Sequence, residues 1–243
     1  MVSYKNRIVV FEKPADTETI DLRDSIAVVI DVLRATSTII NALRNGCKGV
    51  IPVAEIDQAL LLRQHKSDLA PLLCGERKGK RIDGFDLGNS PAEYKSEIVK
   101  DKLLIMTTTN GTQAMAAAHD ARVIYVLSLL NLQTTVNNAV CLDKDINIIC
   151  AGTNGRPSLE DNVCAGLFIR KVLKSDKFLP DKNCSELIAL ANEYSGNLLR
   201  MLRTSRHGQY LEEIGFGSDL EFCSRLNSIN TCAIFENGLI KKK

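Results

Sequence analysis

The chain has 243 residues, 45% of them hydrophobic and 25% charged, with a net charge of +2. That is the balance of a folded protein long enough to bury a substantial core, and not of a disordered chain. So small a charge excess argues against nucleic acid as a partner, because binding a phosphate backbone draws on a concentrated basic face. The one basic run, Lys241-Lys242-Lys243, reads as a frayed, solvated tail. No stretch reaches the roughly 20 apolar residues of a membrane helix. Residues 1–11 lack the apolar centre and small-residue cleavage site of an export signal. The expected location is therefore the cytoplasm, with no membrane partner.

The cysteines are Cys47, Cys74, Cys141, Cys150, Cys164, Cys184, Cys223 and Cys232, with no C-x-x-C pair among them. Reduced, buried thiols are expected here in preference to disulfides or zinc ligands. Cys74 invites a reading as nucleophile, but a thiol phosphatase needs Cys-x5-Arg so that one loop cradles the anion. Here that position holds Lys80, and Arg81 comes one residue too late.

Short apolar runs alternate with longer amphipathic ones. Strands are expected at 7–11, 26–32, 50–53, 72–74, 103–107, 123–126 and 146–150, each a near-continuous Val/Ile-rich segment of the kind covered on both faces. Helices are expected between them at 37–44, 56–65, 91–98, 112–118 and 132–141. This alternation predicts an α/β fold with a mainly parallel or mixed sheet flanked by helices. Beyond Cys150 the pattern turns helical, at 159–174, 184–194, 197–204, 206–214 and 216–227, with a closing strand at 231–235. No linker or internal repeat divides the chain, so a single domain is expected, with a helical elaboration over roughly 157–227. Ser90-Pro91-Ala92-Glu93 and Ser158-Leu159-Glu160-Asp161 both read as helix-capping boxes.

Polar residues gather where strands end, the usual place for ligands in open α/β sheets. Asp31 ends one strand, Arg34 follows in the turn, and Thr36, Ser37 and Thr38 open a helix. Hydroxyls and free N–H groups at a helix start suit an anion, and Arg34 suits a clamp on it. The alternative is a plain cap with Arg34 paired at the surface. After the next such strand come Glu76 and Arg77, then Asp86 in the run Gly84-Phe85-Asp86-Leu87-Gly88-Asn89-Ser90-Pro91. Glu76 and Asp86 are hard oxygen ligands of the type that magnesium prefers, and a glycine-rich surface loop is the alternative. In Thr107-Thr108-Thr109-Asn110-Gly111-Thr112, hydroxyl and backbone donors suit a phosphate or sulfonate cradle. Strand propensity and a turn explain the same residues without a ligand. Cys150-Ala151-Gly152-Thr153-Asn154-Gly155-Arg156 leads to Glu160 and Asp161, which either cap a helix or face a metal.

In this order the runs Asp31-Val32-Leu33-Arg34-Ala35-Thr36-Ser37, Gly75-Glu76-Arg77 with 84–91, Thr107 to Thr112, Ser158-Leu159-Glu160-Asp161 with Ala165-Gly166, and Ser205-Arg206-His207-Gly208 with Gly215-Phe216 and Asp219-Leu220 resemble the 2-phosphosulfolactate phosphatases. The resemblance spans residues 31–219. It implies hydrolysis of 2-phospho-3-sulfolactate to 3-sulfolactate and phosphate with Mg²⁺, a step of coenzyme M biosynthesis. The metal ligands would then come from Asp31, Glu76, Asp161 and Asp86. The catalytic groups would be Asp31, Arg34, Arg77 and His207, and the substrate would rest on Thr36, Ser37, Thr108, Thr109, Asn110, Gly111 and Thr112. Asp31 is either a metal ligand or a phosphoryl acceptor; Leu33 occupies the second position of the Asp-x-Asp pair of aspartate phosphatases, which favours direct attack by water. Arg206-His207-Gly208 spells the triplet of histidine phosphatases, but those carry it after their first strand. The alternatives are a phosphatase of another small phosphorylated acid and a non-enzymatic binder of such metabolites. Homo-oligomerisation stays open.

Overall fold

The structure, a computed structural model, describes residues 5–18 and 20–243. Residues 1–4 of the N-terminal segment lie outside the described residues. The elements run β1 (Asn6–Phe11), β2 (Ile26–Ile30), α1 (Ala35–Arg44), β3 (Gly49–Pro52), α2 (Ile56–His65), β4 (Leu72–Arg77), β5 (Lys80–Arg81), α3 (Ser96–Val99), β6 (Leu103–Thr107), α4 (Gly111–Ala117), β7 (Val123–Leu127), α5 (Leu132–Cys141) and β8 (Ile146–Cys150). Then follow α6 (Leu159–Val172), β9 (Phe178–Pro180), α7 (Cys184–Tyr194), α8 (Leu198–Thr204), α9 (Arg206–Glu213), α10 (Gly217–Cys223), β10 (Ala233–Glu236) and β11 (Leu239–Lys242). The α/β class and the helical C-terminal portion are as expected.

The strands form one eleven-stranded mixed sheet in the order β5-β4-β6-β3-β11-β10-β7-β2-β8-β1-β9. It contains two parallel blocks, β4-β6-β3 and β7-β2-β8-β1-β9. Three antiparallel pairings in a row, β7–β10, β10–β11 and β11–β3, join the blocks, which therefore run in opposite senses along the sheet. The period of two along β2 divides the core: Ile26, Val28 and Ile30 pack on one face with α5 to α8, and Ala27 and Val29 on the other with α1 and α4. On that second face α1 supplies Ile39, Ile40 and Leu43 to a core drawn from both blocks, including Val126 of one and Val50, Leu104 and Met106 of the other. Around α1 the residues that follow β2 meet those that end β4 and β6.

The C-terminal residues depart most from expectation. The tail is no frayed end. Lys241 and Lys242 lie in β11, Ile240 is fully buried against β3, and Lys243 Nζ donates to Tyr125 Oη at 3.2 Å and Asn138 Oδ1 at 3.0 Å. The β10–β11 turn is Asn237-Gly238, both at positive φ (51° and 79°), the pair that favours a two-residue hairpin. The expected helix 91–98 breaks into a 3-10 turn, Pro91–Glu93, and the short α3. Neither capping box forms. Ser90 Oγ instead donates to Asp219, Glu93 accepts from the Gly88 N–H, and Asp161 reaches back to the turn after β2. All eight cysteines are free thiols, and Cys74 lies inside the second core, where burial pushes its thiol pKa up.

Because Ile240 fills the seam between the two blocks, Ile240→Ala should lower the unfolding free energy by about 2–5 kcal/mol. Lys242→Ala, at an exposed position of the same strand, should change it by less than about 0.5 kcal/mol. Urea titration of the two variants checks this; equal, small effects would restore the frayed-tail reading.

Candidate active site

Strand β2 ends in Asp31, and the chain turns at once into α1. Thr36 and Ser37 close that turn: Thr36 Oγ1 donates to the Asp31 carbonyl and Ser37 Oγ to the Val32 carbonyl, both at 2.8 Å. Their hydroxyls therefore shape the loop and do not line the cleft. Asp31 is buried, with Oδ1 accepting the Ala35 N–H at 3.2 Å. Its Oδ2 accepts no hydrogen bond from the described residues and points past Gly111, where a Cβ would stand 2.7 Å from it and 2.6 Å from the Ala35 Cβ. Gly111 thus acts by being small: any side chain would push the starts of α1 and α4 apart. Thr112 also serves the loop, donating to the Thr108 carbonyl at 2.8 Å.

Strand β4 brings Glu76 and Arg77. At Gly75 the backbone has φ +149°, and a Cβ there would collide with the Thr107 carbonyl oxygen, so only glycine lets β4 approach β6 this closely. Glu76 is buried, with Oε2 accepting the Gly79 N–H at 2.7 Å and Oε1 the Thr109 N–H at 2.8 Å. Arg77 donates to the Glu76 carbonyl, the Ala54 carbonyl and Thr107 Oγ1.

These groups open on a cleft of about 490 Å³. Its floor is Asp31, Glu76 and Thr108-Thr109-Asn110, and its mouth carries Arg77, Lys78, Thr153, Asn154, Arg206 and Tyr210. Arg34, Asn89 and His207 complete the wall. Asp31, Arg34, Glu76, Arg77, Thr108, Thr109, Asn110 and His207, separated by up to 176 positions in sequence, are brought together. Arg77, Lys78 and Arg206 have no carboxylate within 4.0 Å among the described residues.

Two expected metal ligands lie outside the cleft's lining. Asp86 sits on the outer side of β4, where its Oδ2 accepts the Leu73 N–H at 2.8 Å and Arg63 Nη1 at 3.2 Å. Asp161 lies behind Asp31 and spans two loops, accepting the Val32 N–H at 2.8 Å and the Gly152 N–H at 3.0 Å. Burial raises the proton affinity of Asp31, helped by the charges of Asp161 and Glu76. Burial and Glu160 raise that of Asp161 to a pKa of about 7. Burial first, with the charge of Asp31, likewise carries Glu160 to about 7. These buried carboxyls thus crowd one another and hold their protons more tightly than free acids do.

Arg34 is not an open clamp. Its Nη1 meets Asp219 Oδ2 at 2.7 Å with both side chains 1% exposed, its Nη2 donates to the Gly79 carbonyl at 2.6 Å, and its plane lies 4.4 Å from the Phe216 ring centroid. His207 stacks on Tyr210, and burial followed by the charge of Arg34 lowers its pKa to about 4, so it is neutral at pH 7.

The missed lining residues were partly within reach. Tyr210 is three positions after His207 on α9, hence on the same helix face. Asn89, Thr153 and Asn154 stand in loops whose composition already drew attention. Lys78 and Gly79 gave no signal, since only the β4–β5 hairpin turns them inward.

A family model described as 2-phosphosulpholactate phosphatase matches residues 11–238. The chain belongs to this family. Family membership makes it a phosphatase, a hydrolase of phosphoric monoesters. Among its relatives is a probable 2-phosphosulfolactate phosphatase of Caldicellulosiruptor saccharolyticus, 40% identical over 97% of this chain and 99% of the relative. Proteins of the same description are 38% identical in Caldanaerobacter subterraneus subsp. tengcongensis, over 91% of this chain and 92% of the relative, and 40% identical in Symbiobacterium thermophilum, over 90% and 95%. No helix among the described residues is long and apolar enough to cross a membrane.

Asp219→Ala would strand the Arg34 charge in the interior. It should cost about 3–5 kcal/mol of stability, measured by denaturant unfolding; a loss below about 1 kcal/mol would mean that water or another group reaches Arg34.

His207 sets a second expectation. A pKa of about 4 when folded lies below the ordinary 6.5, so the unfolded chain takes up this proton first. Stability should therefore fall as pH drops from 6.5 to 4, and His207→Gln should lose less over that window. Thermal unfolding across pH decides it: parallel curves would show that His207 titrates normally.

Proposed function

We propose that the cleft hydrolyses 2-phospho-3-sulfolactate to 3-sulfolactate and phosphate, a coenzyme M-type step, with Mg²⁺ bound at Asp31 and Glu76. One observation carries the reading: a buried carboxylate whose Oδ2, on Asp31, accepts no hydrogen bond from the described residues lies in the same cleft as three cations with no carboxylate partner among them. A substrate bearing phosphate, carboxylate and sulfonate complements Arg77, Lys78 and Arg206.

Among the described residues no three His, Cys, Asp or Glu side chains gather as a metal cluster. Mg²⁺ does not ask for one: it keeps several waters and uses one or two carboxylates with substrate oxygens. The oxygen-only donors here, Asp31 and Glu76 with the neighbouring Thr108, Thr109 and Asn110, fit that habit, and a bound cation would favour the ionised form of the buried Asp31. When bound, the ion would neutralise phosphoryl oxygens and draw water close to them. Asp161 supports this set from behind by holding the Val32 and Gly152 backbone.

The chain's own groups supply the rest. Arg77, Lys78 and Arg206 attract and orient the anion. Neutral His207 at the wall accepts or donates a hydrogen bond without adding charge. Direct attack by water is preferred over an aspartyl-phosphate because Leu33, which lines the cleft, occupies the position where aspartate phosphatases hold a second carboxylate.

Phosphate release from a panel of phosphorylated acids, 2-phospho-3-sulfolactate included, tests the substrate. Chelation should abolish turnover and added Mg²⁺ restore it; full activity in excess chelator would remove the metal from this reading. Asp31→Asn should raise the Mg²⁺ needed for half-maximal rate by about tenfold or more. Labelled phosphate trapped on Asp31 of the wild type after an acid quench would replace the direct-water route by a covalent one.

A further inference from the structure

A cavity of about 440 Å³ lies against the sheet away from the cleft and shares no lining residue with it. In β8 the buried run Ile146 to Cys150 is apolar except at Asn147, which is 6% exposed. Register places Asn147 between Val9 of β1 and Ala27 of β2, so its side chain stands with theirs on the second face of the sheet. There the connection from β1 to β2 adds Glu12, Asp16, Ile20 and Asp21 to the walls. One hydrogen bond fixes how the amide lies. Ser25 Oγ gives its single proton to the Leu22 carbonyl at 2.7 Å, so towards Asn147 it can only accept, which it does from Nδ2 at 2.8 Å. Asn147 Oδ1 is thereby turned the other way. It accepts no hydrogen bond among the described residues and is not sealed in the core, so it looks into the cavity that Asn147 lines.

The charges around this oxygen ask for the same kind of ligand. Glu12, Asp16, Asp21, Asp145 and Asp181 line the cavity against one cation, Arg7. Lys13 and Arg23 pair with Asp16 and Asp21. Glu12, Asp145 and Asp181 have no cation within 4.0 Å among the described residues. Each of the three keeps one oxygen (Glu12 Oε1, Asp145 Oδ2 and Asp181 Oδ2) that accepts no hydrogen bond there. The donors in the lining, Arg7 and Asn183, are exposed and make no hydrogen bond with these oxygens. An amide oxygen held this deep gains when a donor meets it, and unpaired carboxylates nearby gain from positive charge. A bare metal ion would make no use of the apolar walls at Val9 and Ile20, and no three His, Cys, Asp or Glu side chains among the described residues gather to hold one. We infer that the cavity binds an aliphatic polyamine. Its ammonium groups donate to Asn147 Oδ1 and to the open oxygens of Glu12, Asp145 and Asp181, and its methylenes cover Val9 and Ile20.

Calorimetric titration of the full chain with 1,6-diaminohexane at fixed ionic strength tests this. Hexamethonium is the comparison: it has the same chain and charges but no N–H to give. The diamine should bind saturably and about tenfold or more tighter than hexamethonium. Asn147→Leu removes the acceptor, and a second variant joins Glu12→Gln with Asp181→Asn, which removes two charges and keeps their shapes. Each should weaken diamine binding by about tenfold or more. A thermal unfolding curve accompanies each variant; should Asn147→Leu not fold, the doubly substituted chain, altered only at less buried groups, carries the test. No saturable binding of the diamine up to about 10 mM overturns the inference. Hexamethonium binding as well as the diamine also overturns it, because charge alone would then explain the attraction. So does a folded variant that binds the diamine within about threefold of wild type, because the amine would then sit elsewhere. None of these residues lines the cleft, so the outcome is independent of the phosphatase reading.

Discussion

The cleft depends on one buried ion pair. Arg34 and Asp219 meet at 2.7 Å where water hardly reaches either. Removing two charges from water is costly, and a pair survives only when its remaining hydrogen-bonding capacity is also met. Here it is met from four separate segments. The turn after β2 supplies Arg34, the β4–β5 hairpin supplies the Gly79 carbonyl, the loop before α3 supplies Ser90, and the start of α10 supplies Asp219 with Phe216 beneath the guanidinium. Three of these segments, all but the start of α10, also hold residues that line the cleft. The pair thereby ties the turn after β2 to the β4–β5 hairpin and the loop before α3.

Charge is distributed unevenly around that anchor. Asp31 at the cleft floor and Asp161 and Glu160 behind it share a dry region in which burial and mutual repulsion raise their proton affinities. Backbone N–H groups meet part of this demand at Asp31, Glu76 and Asp161, because the loops at the strand ends turn their amides inward. At the mouth, Arg77, Lys78 and Arg206 carry the opposite charge without a carboxylate partner among the described residues. In the proposed reading, an anionic substrate entering between them would complete that balance, with attraction concentrated where the phosphoryl group would sit.

Much of this was legible in the chain. All seven expected strands are present, β4 and β7 with later ends and β2 and β3 with earlier ones, because near-continuous apolar runs of four to six residues have few other places to go in a helix-covered sheet. The helices 56–65, 132–141 and 184–194 keep their expected bounds. Asp31, Glu76 and the Thr108 to Asn110 run stand at strand ends, where α/β sheets collect ligands. The hairpin β10–β11 was signalled by Asn237-Gly238 and was overlooked because three lysines at the end resemble a solvated tail. Their long stems can pack beside a strand while the ammonium groups reach water or a polar partner.

The sequence by itself determined the alternation of elements, the family and the loops that carry the polar groups, since all of these follow from local pattern and order along the chain. Only the tertiary structure decided what each polar group does. Arg34, Ser90 and Asp161 read locally as an anion clamp and two capping residues, yet each makes a hydrogen bond with a partner more than forty positions away. Asp86 is drawn to Arg63 and the Leu73 amide on the outer side of β4, away from the carboxylates that it resembles in type. A side chain's propensity belongs to its neighbours in sequence, whereas a buried hydrogen bond or ion pair goes to whichever group the fold leaves without water. Which groups those are is settled only when the two blocks of the sheet close around α1.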